Sequence, residues 1–496
     1  MDILTLVMAI ALLLMAIGIT HKENGSLVIL IGLTLSVGAV IVRLLLGDAL
    51  IQTGIDLFRD CGISLLLAAA YMSIRKLGDR AYPFMILGVI SLILSGLLLG
   101  TRYVWKSIWP QNTQSVLVEL GPDDSIVEIE EILDEYADRW ERAFPKVTLS
   151  EDIDLAQVYL VYVSERYVSE MMNVLRADLE NIDHVELNLD IVLSPPIPGQ
   201  LVEGASNNAF GNDPYASQQW ALDAVQAHQA HSTLKDVRPV RKARVAILDT
   251  GVEADHEDLQ AAYVTGVQDD THGHGTHCAG LAGAVTNNGL GIASLNWEGR
   301  FIEILGFRAL SATGQGSMEQ ISQAVIDATK AEADVISMSL GSKFSEAPRV
   351  LINAVEYALE RGVIVTASAG NSNEDAISHF PSNIDGVIAV AAVDQNLVKA
   401  EFSNTVGSLS RPLAAPGVDL HSSYPGGSYR SMSGTSMATP VVAGLIGVMR
   451  SMNPYLTAEQ VYKILHETGT EIADTPQVGH VVNAGSALEH ILGRGI

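Results

Sequence analysis

Near the C-terminal end stands Ser433-Gly434-Thr435-Ser436-Met437-Ala438-Thr439-Pro440, followed by the apolar run Val441 to Met449. The run has helical character, and its Ala443, Gly444 and Gly447 are small enough to let another element approach closely. This predicts Ser436 at the N-terminus of a buried helix. There, free backbone N–H groups and the positive end of the helix dipole favour developing negative charge. A nucleophilic serine needs such a place, because its attack on a carbonyl creates an oxyanion. A serine that merely caps a helix would read the same over three residues. Eight residues in this order are more specific, and two stretches upstream decide between the readings.

The first is Val245-Ala246-Ile247-Leu248-Asp249-Thr250-Gly251, an apolar β-type run ending in Asp and Gly, as strands of parallel sheets often do. The second is His274-Gly275-Thr276-His277-Cys278-Ala279-Gly280, a histidine opening another small-residue helix. Asp249, His274 and Ser436 are the residue types of a nucleophilic triad. With these three stretches the chain resembles the subtilisin-like serine proteases, the subtilases, over about 285 residues from Asn212 onward. The resemblance implies an α/β fold, a parallel sheet flanked by helices, and peptide-bond hydrolysis. Asp249 would orient His274, and His274 would take the Ser436 proton and pass it to the leaving amine. His277 would be a core residue.

Each signal has a rival. Asp-Thr-Gly after a strand also fits an aspartic protease, but that chemistry needs two carboxylates sharing a proton, and a single Asp-Thr-Gly occurs. His272, His274 and His277 suggest zinc, yet no Cys pair or acidic ligand stands at metal spacing beside them.

Composition narrows the remainder. The chain has 496 residues and a formal net charge of −27, which suggests two to four domains and argues against nucleic acid as a partner. Its two cysteines, Cys61 and Cys278, lie in separate apolar stretches, so no disulfide framework is available. Cys278 reads as a small core residue, and some subtilases, proteinase K among them, carry Cys at this position.

The first hundred residues are different material. Ile3 to Ile19, Leu27 to Leu46, Cys61 to Ile74 and Phe84 to Gly100 are apolar, and runs near 20 residues cross a bilayer. They predict an all-α region of four transmembrane helices over 1–104, with the lipid bilayer as a partner. Arg75, Lys76 and Arg80 crowd one short loop and Lys22 lies on the same side. Basic loops face inward, so the N-terminus and everything after Gly100 are expected to be extracytoplasmic. Arg102 and Lys106 weigh against this.

Residues 105–198 read β-α-β-β-α-β, a ferredoxin-like α+β unit. The expected elements are a strand over Ser115–Leu120, a helix over Asp124–Phe144, strands over Val147–Leu149 and Val158–Val163, a helix over Glu165–Ile182, and a strand over Val185–Leu193. Its place before the protease makes it resemble the subtilase prodomain, whose last strand occupies the active site. Family autocleavage falls soon after that strand, but here Ser194-Pro195-Pro196-Ile197-Pro198 follows. Proline lacks an N–H and fixes φ, so it fits poorly around a scissile bond held in an extended strand. A cut is expected instead in the Gly/Ser/Asn-rich linker 199–211.

The catalytic domain is expected over 212–496. Asn212-Asp213-Pro214-Tyr215 resembles the mature N-terminus of thermitase-like subtilases. Asn371, in Ser368-Ala369-Gly370-Asn371 after an apolar strand, matches the oxyanion-hole asparagine. Gly314-Gln315-Gly316 and Ser339-Leu340-Gly341 match the segments that flank a substrate bound as an added β-strand, which implies an extended peptide or protein substrate. No cofactor is needed for the chemistry. The resemblance matches Asp213 and Asp258 to structural calcium positions, with solvated surface carboxylates as the alternative, and the loop Thr286–Gly291 is shorter than the calcium loop of the subtilisins proper. Two other readings remain: a catalytically silent membrane receptor that binds peptides in the groove, and a membrane sensor with a protease output. The complete set of Asp249, His274, Ser436 and Asn371 counts against the first. The absence of an acidic pair or relay in the apolar runs counts against the second.

Overall fold

The computed structural model describes residues 89–91, 112–193, 197–201 and 211–493. Apart from the helical Val89–Ser91, the four expected membrane helices lie outside the described residues, as does most of the 199–211 linker. Among the described residues no helix is long and apolar enough to cross a membrane. The chain divides into two compact units, Met1–Asn112 and Thr113–Ile496.

The Thr113–Ile496 unit begins with a small sandwich. Strands β1 (Thr113–Leu120), β2 (Ala137–Arg142), β3 (Val158–Ser164) and β4 (Ile182–Leu187) form an antiparallel sheet in the order β2-β3-β1-β4. Helices α1 (Glu130–Tyr136) and α2 (Val168–Ala177) cover one face. This is the expected βαββαβ order with different boundaries. The predicted helix 124–144 stops at Tyr136, and its second half is β2, an edge strand paired with β3. The predicted strand Val147–Leu149 is a turn. The predicted strand Val185–Leu193 is broken at Asn188-Leu189, and its end, β5 (Asp190–Val192), leaves the sheet for a different partner.

Period-two alternation in β1 sets the orientation of this sheet. Val116 and Val118 face α1 and α2, whereas Leu117 faces away and joins Phe144, Leu155 and Leu160 in a core shared with the protease helices. Those helices are α4 (Met318–Lys330) and α5 (Arg349–Glu360). Polar contacts fix the docking. Glu186 accepts from the backbone N–H of Arg349 and Val350, each at 2.9 Å, so a carboxylate of the sandwich caps the N-terminus of α5. Asn188 does the same for Glu319 N at the start of α4, at 3.0 Å. Glu119, which is fully buried, pairs with Arg349 at 3.0 Å.

The protease portion is built on eight strands: β7 (Ala243–Asp249), β8 (Tyr263–Gly266), β9 (Ile302–Arg308), β11 (Val335–Met338), β12 (Ile364–Ser368), β13 (Ile388–Val393), β14 (Pro412–Pro416) and β17 (His480–Val481). They form one sheet in the order β17-β14-β13-β12-β11-β7-β9-β8, with every pairing parallel. Among the strands outside it are β10 (Gln315–Ser317), β15 (Leu420–Tyr424) and β16 (Ser428–Ser433). A parallel sheet covered on both faces needs apolar residues on both. Accordingly, Val245 and Ile247 of β7 enter one core, and Ala246 and Leu248 enter the other.

Helices α3 (His274–Gly283) and α6 (Thr435–Met452) cross the first of these cores side by side. Their closeness explains the small residues of the apolar run. A Cβ on Gly444 would lie 2.3 Å from the carbonyl oxygen of Ala282, and one on Gly447 would lie 2.7 Å from Val245 Cγ2. The crossing brings the N-termini of both helices to the carboxyl end of β7.

Candidate active site

Asp249 ends β7, His274 opens α3 and Ser436 is the second residue of α6. His274 Nδ1 lies 2.8 Å from Asp249 Oδ1 and 2.9 Å from Oδ2, and both side chains are buried. Burial alone disfavours the imidazolium. The adjacent Asp249 carboxylate outweighs it and holds the His274 pKa well above its ordinary value. Cys278 is one turn along α3, and burial pushes its thiol pKa up. It therefore remains a neutral thiol and donates to the Ser436 carbonyl at 3.4 Å.

That carbonyl is free for a reason written in the sequence. Pro440 stands four residues later and has no N–H to give it. Ser339 Oγ donates to the same oxygen at 2.8 Å. The Ser436 hydroxyl donates in turn to the Ser339 carbonyl at 3.1 Å rather than to His274. A serine–histidine hydrogen bond in such a site commonly tightens only with substrate in place.

Asn371 follows β12 across Gly370. Its Oδ1 accepts from both Thr435 N and Thr435 Oγ1 at 2.9 Å, which fixes the amide so that Nδ2 faces the groove. The point where a Cβ on Gly434 would stand is 3.5 Å from Asn371 Nδ2 and 3.7 Å from Ser436 N. Asn371 Nδ2 and Ser436 N thus both lie close to the space that glycine leaves open at position 434.

One of the two segments expected to flank substrate, Gly314–Gly316, is paired by the chain itself. Strand β5 pairs antiparallel with β10, with Val192 opposite Gln315 and Ile191 opposite Gly316, and Leu193 N donates to Gly314 O at 2.8 Å. On the other side, β6 (Ile197–Pro198) pairs antiparallel with Ser433 and Met432 of β16, and Gly199 N donates to Ser431 O at 2.9 Å. Ser339, Leu340 and Gly341 line a cavity of about 210 Å³ together with Leu193, Asn371 and Ser436.

Sequence reasoning missed Asp270. This buried carboxylate accepts from Gly273 N at 2.9 Å, Thr276 N at 2.9 Å and the hydroxyls of Thr250 and Thr276, and so sets the turn that presents His274. An Asp four residues before a helix-opening residue was the available signal. The three histidines do not converge on a metal. His277 Nε2 sits between the carbonyls of Leu420 and Arg430, at 3.1 and 3.0 Å, as a core residue.

The two carboxylates matched to calcium positions are engaged by the chain itself. Asp213 receives the backbone N–H groups of Asn287, Asn288 and Gly289 at 2.7–3.2 Å, and burial still pushes its pKa up to about 6. Asp258 Oδ2 receives Ile292 N at 2.9 Å and the Tyr429 hydroxyl at 2.7 Å. Calcium takes six to eight oxygens. Here backbone N–H groups from the short loop do the neutralising, and Asp258 Oδ1 is the one buried carboxylate oxygen of the pair without a hydrogen-bond partner among the described residues. These residues do not fit a calcium cage.

Comparison with known proteins agrees with the geometry. The family model for the subtilase family, Peptidase S8, matches residues 241–495. Thermitase of Thermoactinomyces vulgaris is 40% identical over 273 residues, 53% of this chain and 93% of the relative. Subtilisin Savinase of Lederbergia lenta is 37% identical over 278 residues, 55% of this chain and 98% of the relative. A solved protease structure from Pseudoalteromonas arctica superposes with a TM-score of 0.51 at 28% identity, over 57% of this chain and 99% of that one. A triad at the carboxyl end of a parallel sheet and a family match over its whole frame lead to one conclusion: the chain belongs to the subtilase family and is a subtilisin-like serine endopeptidase.

Proposed function

We propose that this is a membrane-anchored serine endopeptidase held latent by its own 113–193 unit, with Asp249, His274 and Ser436 as the triad and Asn371 as an oxyanion donor. In the reaction, His274 Nε2 accepts the Ser436 proton as Oγ attacks the substrate carbonyl. The oxyanion forms between Ser436 N–H and Asn371 Nδ2, and His274 then protonates the leaving amine. Asp249 stays ionised and stabilises the imidazolium. Asn371→Ala is expected to lower kcat by about 10²–10³, the loss for one oxyanion donor, with KM little changed. A steady-state assay on a peptide ester checks this, and an unchanged kcat would remove Asn371 from the site.

The observation that carries latency is the placement of the chain's own strands on both sides of the groove at Ser436, β5 on β10 and β6 on β16. Leu193 and Ile197 are joined through Ser194-Pro195-Pro196, so two of the four linking peptide bonds are X–Pro imides. A segment paired on both sides of a nucleophile is either substrate or inhibitor, and a linking sequence in which half the peptide bonds are X–Pro imides favours inhibitor. The tether keeps this strand at high effective concentration. Cutting the 199–211 linker with an unrelated protease, at an inserted site, is expected to raise activity on dilution by about 10²-fold or more. Full activity in uncut protein, with no gain on cutting, would end the latency reading and leave the catalytic one standing.

Anchoring rests on the four apolar runs of residues 1–104, and orientation on Arg75, Lys76 and Arg80. A reporter fused after Thr101 is expected to read as extracytoplasmic. A cytoplasmic readout would reverse the topology.

A further inference from the structure

In a chain of net charge −27, the stretch Lys235-Asp236-Val237-Arg238-Pro239-Val240-Arg241-Lys242-Ala243-Arg244 carries five cations and one carboxylate. It leads into β7 at Ala243, so it lies at the amino end of the parallel sheet, and Asp249 lies at the other end of that strand. Two of the cations are tied down. Arg241 pairs with the buried Asp334, and Arg244 pairs with Glu303 at 3.5 Å and Glu332 at 3.0 Å. Lys235, Arg238 and Lys242 are exposed and make no ion pair among the described residues.

The loop that follows α6, Asn453-Pro454-Tyr455-Leu456, joins this end. The Ser451 carbonyl accepts from Val240 N at 2.9 Å and Arg241 N at 3.3 Å, which fastens the two segments together. Arg450 donates to Leu456 O at 2.6 Å and pairs at 3.1 Å with Asp334, the carboxylate that also holds Arg241. Asn453 Oδ1 accepts from Tyr455 N at 3.2 Å. Each segment raises one apolar residue off this base, and a proline precedes each: Val240, 71% exposed, follows Pro239, and Tyr455, 88% exposed, follows Pro454. Single exposed apolar residues are ordinary. Two on fastened, proline-stiffened loops beside a basic stretch of an acidic protein have a physical use. A tyrosine ring suits a membrane–water interface, where its body is apolar and its hydroxyl wet. Exposed Lys and Arg beside it are drawn to anionic headgroups. A hydrophilic polyanion would engage the cations and leave Val240 and Tyr455 nothing to bury against.

We propose that this end of the protease docks on an anionic lipid surface, with Val240 and Tyr455 entering the headgroup layer and Lys235, Arg238 and Lys242 meeting lipid phosphates. Strand β7 has seven residues, roughly 20 Å at the usual strand rise, so docking holds the triad about that far from the lipid. Substrate is then met as extended chain in the water layer, not in the bilayer. The contact is separate from the apolar runs of residues 1–104 and requires neither the triad nor latency. A basic residue at an anionic surface is worth about fivefold in partitioning, so the three unpaired cations together contribute on the order of 10²-fold.

The test uses the full chain on nanodiscs of phosphatidylcholine, alone or mixed with phosphatidylglycerol. Hydroxyl radicals report on Tyr455 and a membrane-impermeant acylating reagent on Lys242, both read by peptide mass spectrometry. Lys343, exposed beside the groove, is the reference. Tyr455 and Lys242 are expected to react about tenfold more slowly on the anionic discs, with Lys343 unchanged, and high salt should abolish the difference. Combined Lys235→Glu, Arg238→Glu and Lys242→Glu should leave Tyr455 equally reactive on both discs, and Tyr455→Ser should weaken the protection of Lys242. A melting curve for each variant shows that it is folded. Equal reactivity of the wild type on the two discs overturns the proposal. So does protection that rises with protein concentration instead of with anionic lipid, the result expected of a second copy of the chain. Carbonate extraction scores the apolar runs separately: a chain that it releases faults the anchor, and the footprint on added discs still decides the patch.

Discussion

Ser436→Ala is expected to lower kcat on casein or a peptide ester by on the order of 10⁶, the loss established for removing the triad nucleophile of a subtilisin rather than one derived from these distances. The geometry gives the reason for so large an effect. Ser436 stands at the N-terminus of α6, which packs beside the helix that His274 opens. Without its hydroxyl, a residual rate of about 10³–10⁴ over the uncatalysed reaction should survive, the level left when a triad member is removed. The fold should be unaffected, because the hydroxyl makes a single hydrogen bond, to Ser339 O. The measurement is a kcat comparison with a melting curve beside it. Retention of most of the activity by a folded Ser436→Ala protein would place the chemistry elsewhere.

Asp249→Asn is expected to cost about 10⁴ in kcat. Asparagine keeps the shape but presents an N–H₂ or a neutral oxygen to His274 Nδ1, so the tautomer is no longer fixed and the imidazolium loses its counter-charge. The same change alters the pH profile, and the sign follows from the balance at His274. In the wild type, burial lowers the pKa and Asp249 raises it by more, so His274 stays protonated to above its ordinary value. Attack needs neutral His274, so kcat/KM should climb with pH and level off only above about 6.5. In Asp249→Asn, burial is left without its opponent and the acid limb should move to lower pH. A pH–rate profile of both proteins checks this. An unshifted limb would mean that Asp249 does not set the charge of His274.

The stretches that carry Asp249, His274 and Ser436 were legible because the composition of each has a local cause. β7 is apolar on both faces because its residues feed two cores. Gly444 and Gly447 are small because α3 and β7 press against them. Asn371 could be placed because it follows a buried strand and a glycine. The boundaries of the sandwich were less legible. Ala137–Arg142 carries the polar composition of a helix surface, and only pairing with β3 turns it into an edge strand, a case of tertiary context overriding local propensity. Strand β5 reads as a continuation of β4, because its partner β10 lies more than a hundred residues away and nothing local reports it. The surroundings of Asp213 were illegible for a similar reason. The sequence shows a carboxylate, but not the three backbone N–H groups that the loop from Asn287 to Gly289 turns toward it.

The central claim is that Ser436, activated through His274, is the nucleophile of a groove filled by the chain's own strand. Fluorophosphonate labelling of the full-length chain, before and after the 199–211 linker is cut, followed by peptide mapping in the mass spectrometer, tests it most directly. The predicted result is a single adduct on Ser436, slow to form in the uncut chain, fast after cutting, and lost in a His274→Ala protein. An adduct on any other residue, or proteolysis that persists with Ser436 unlabelled, would contradict the claim.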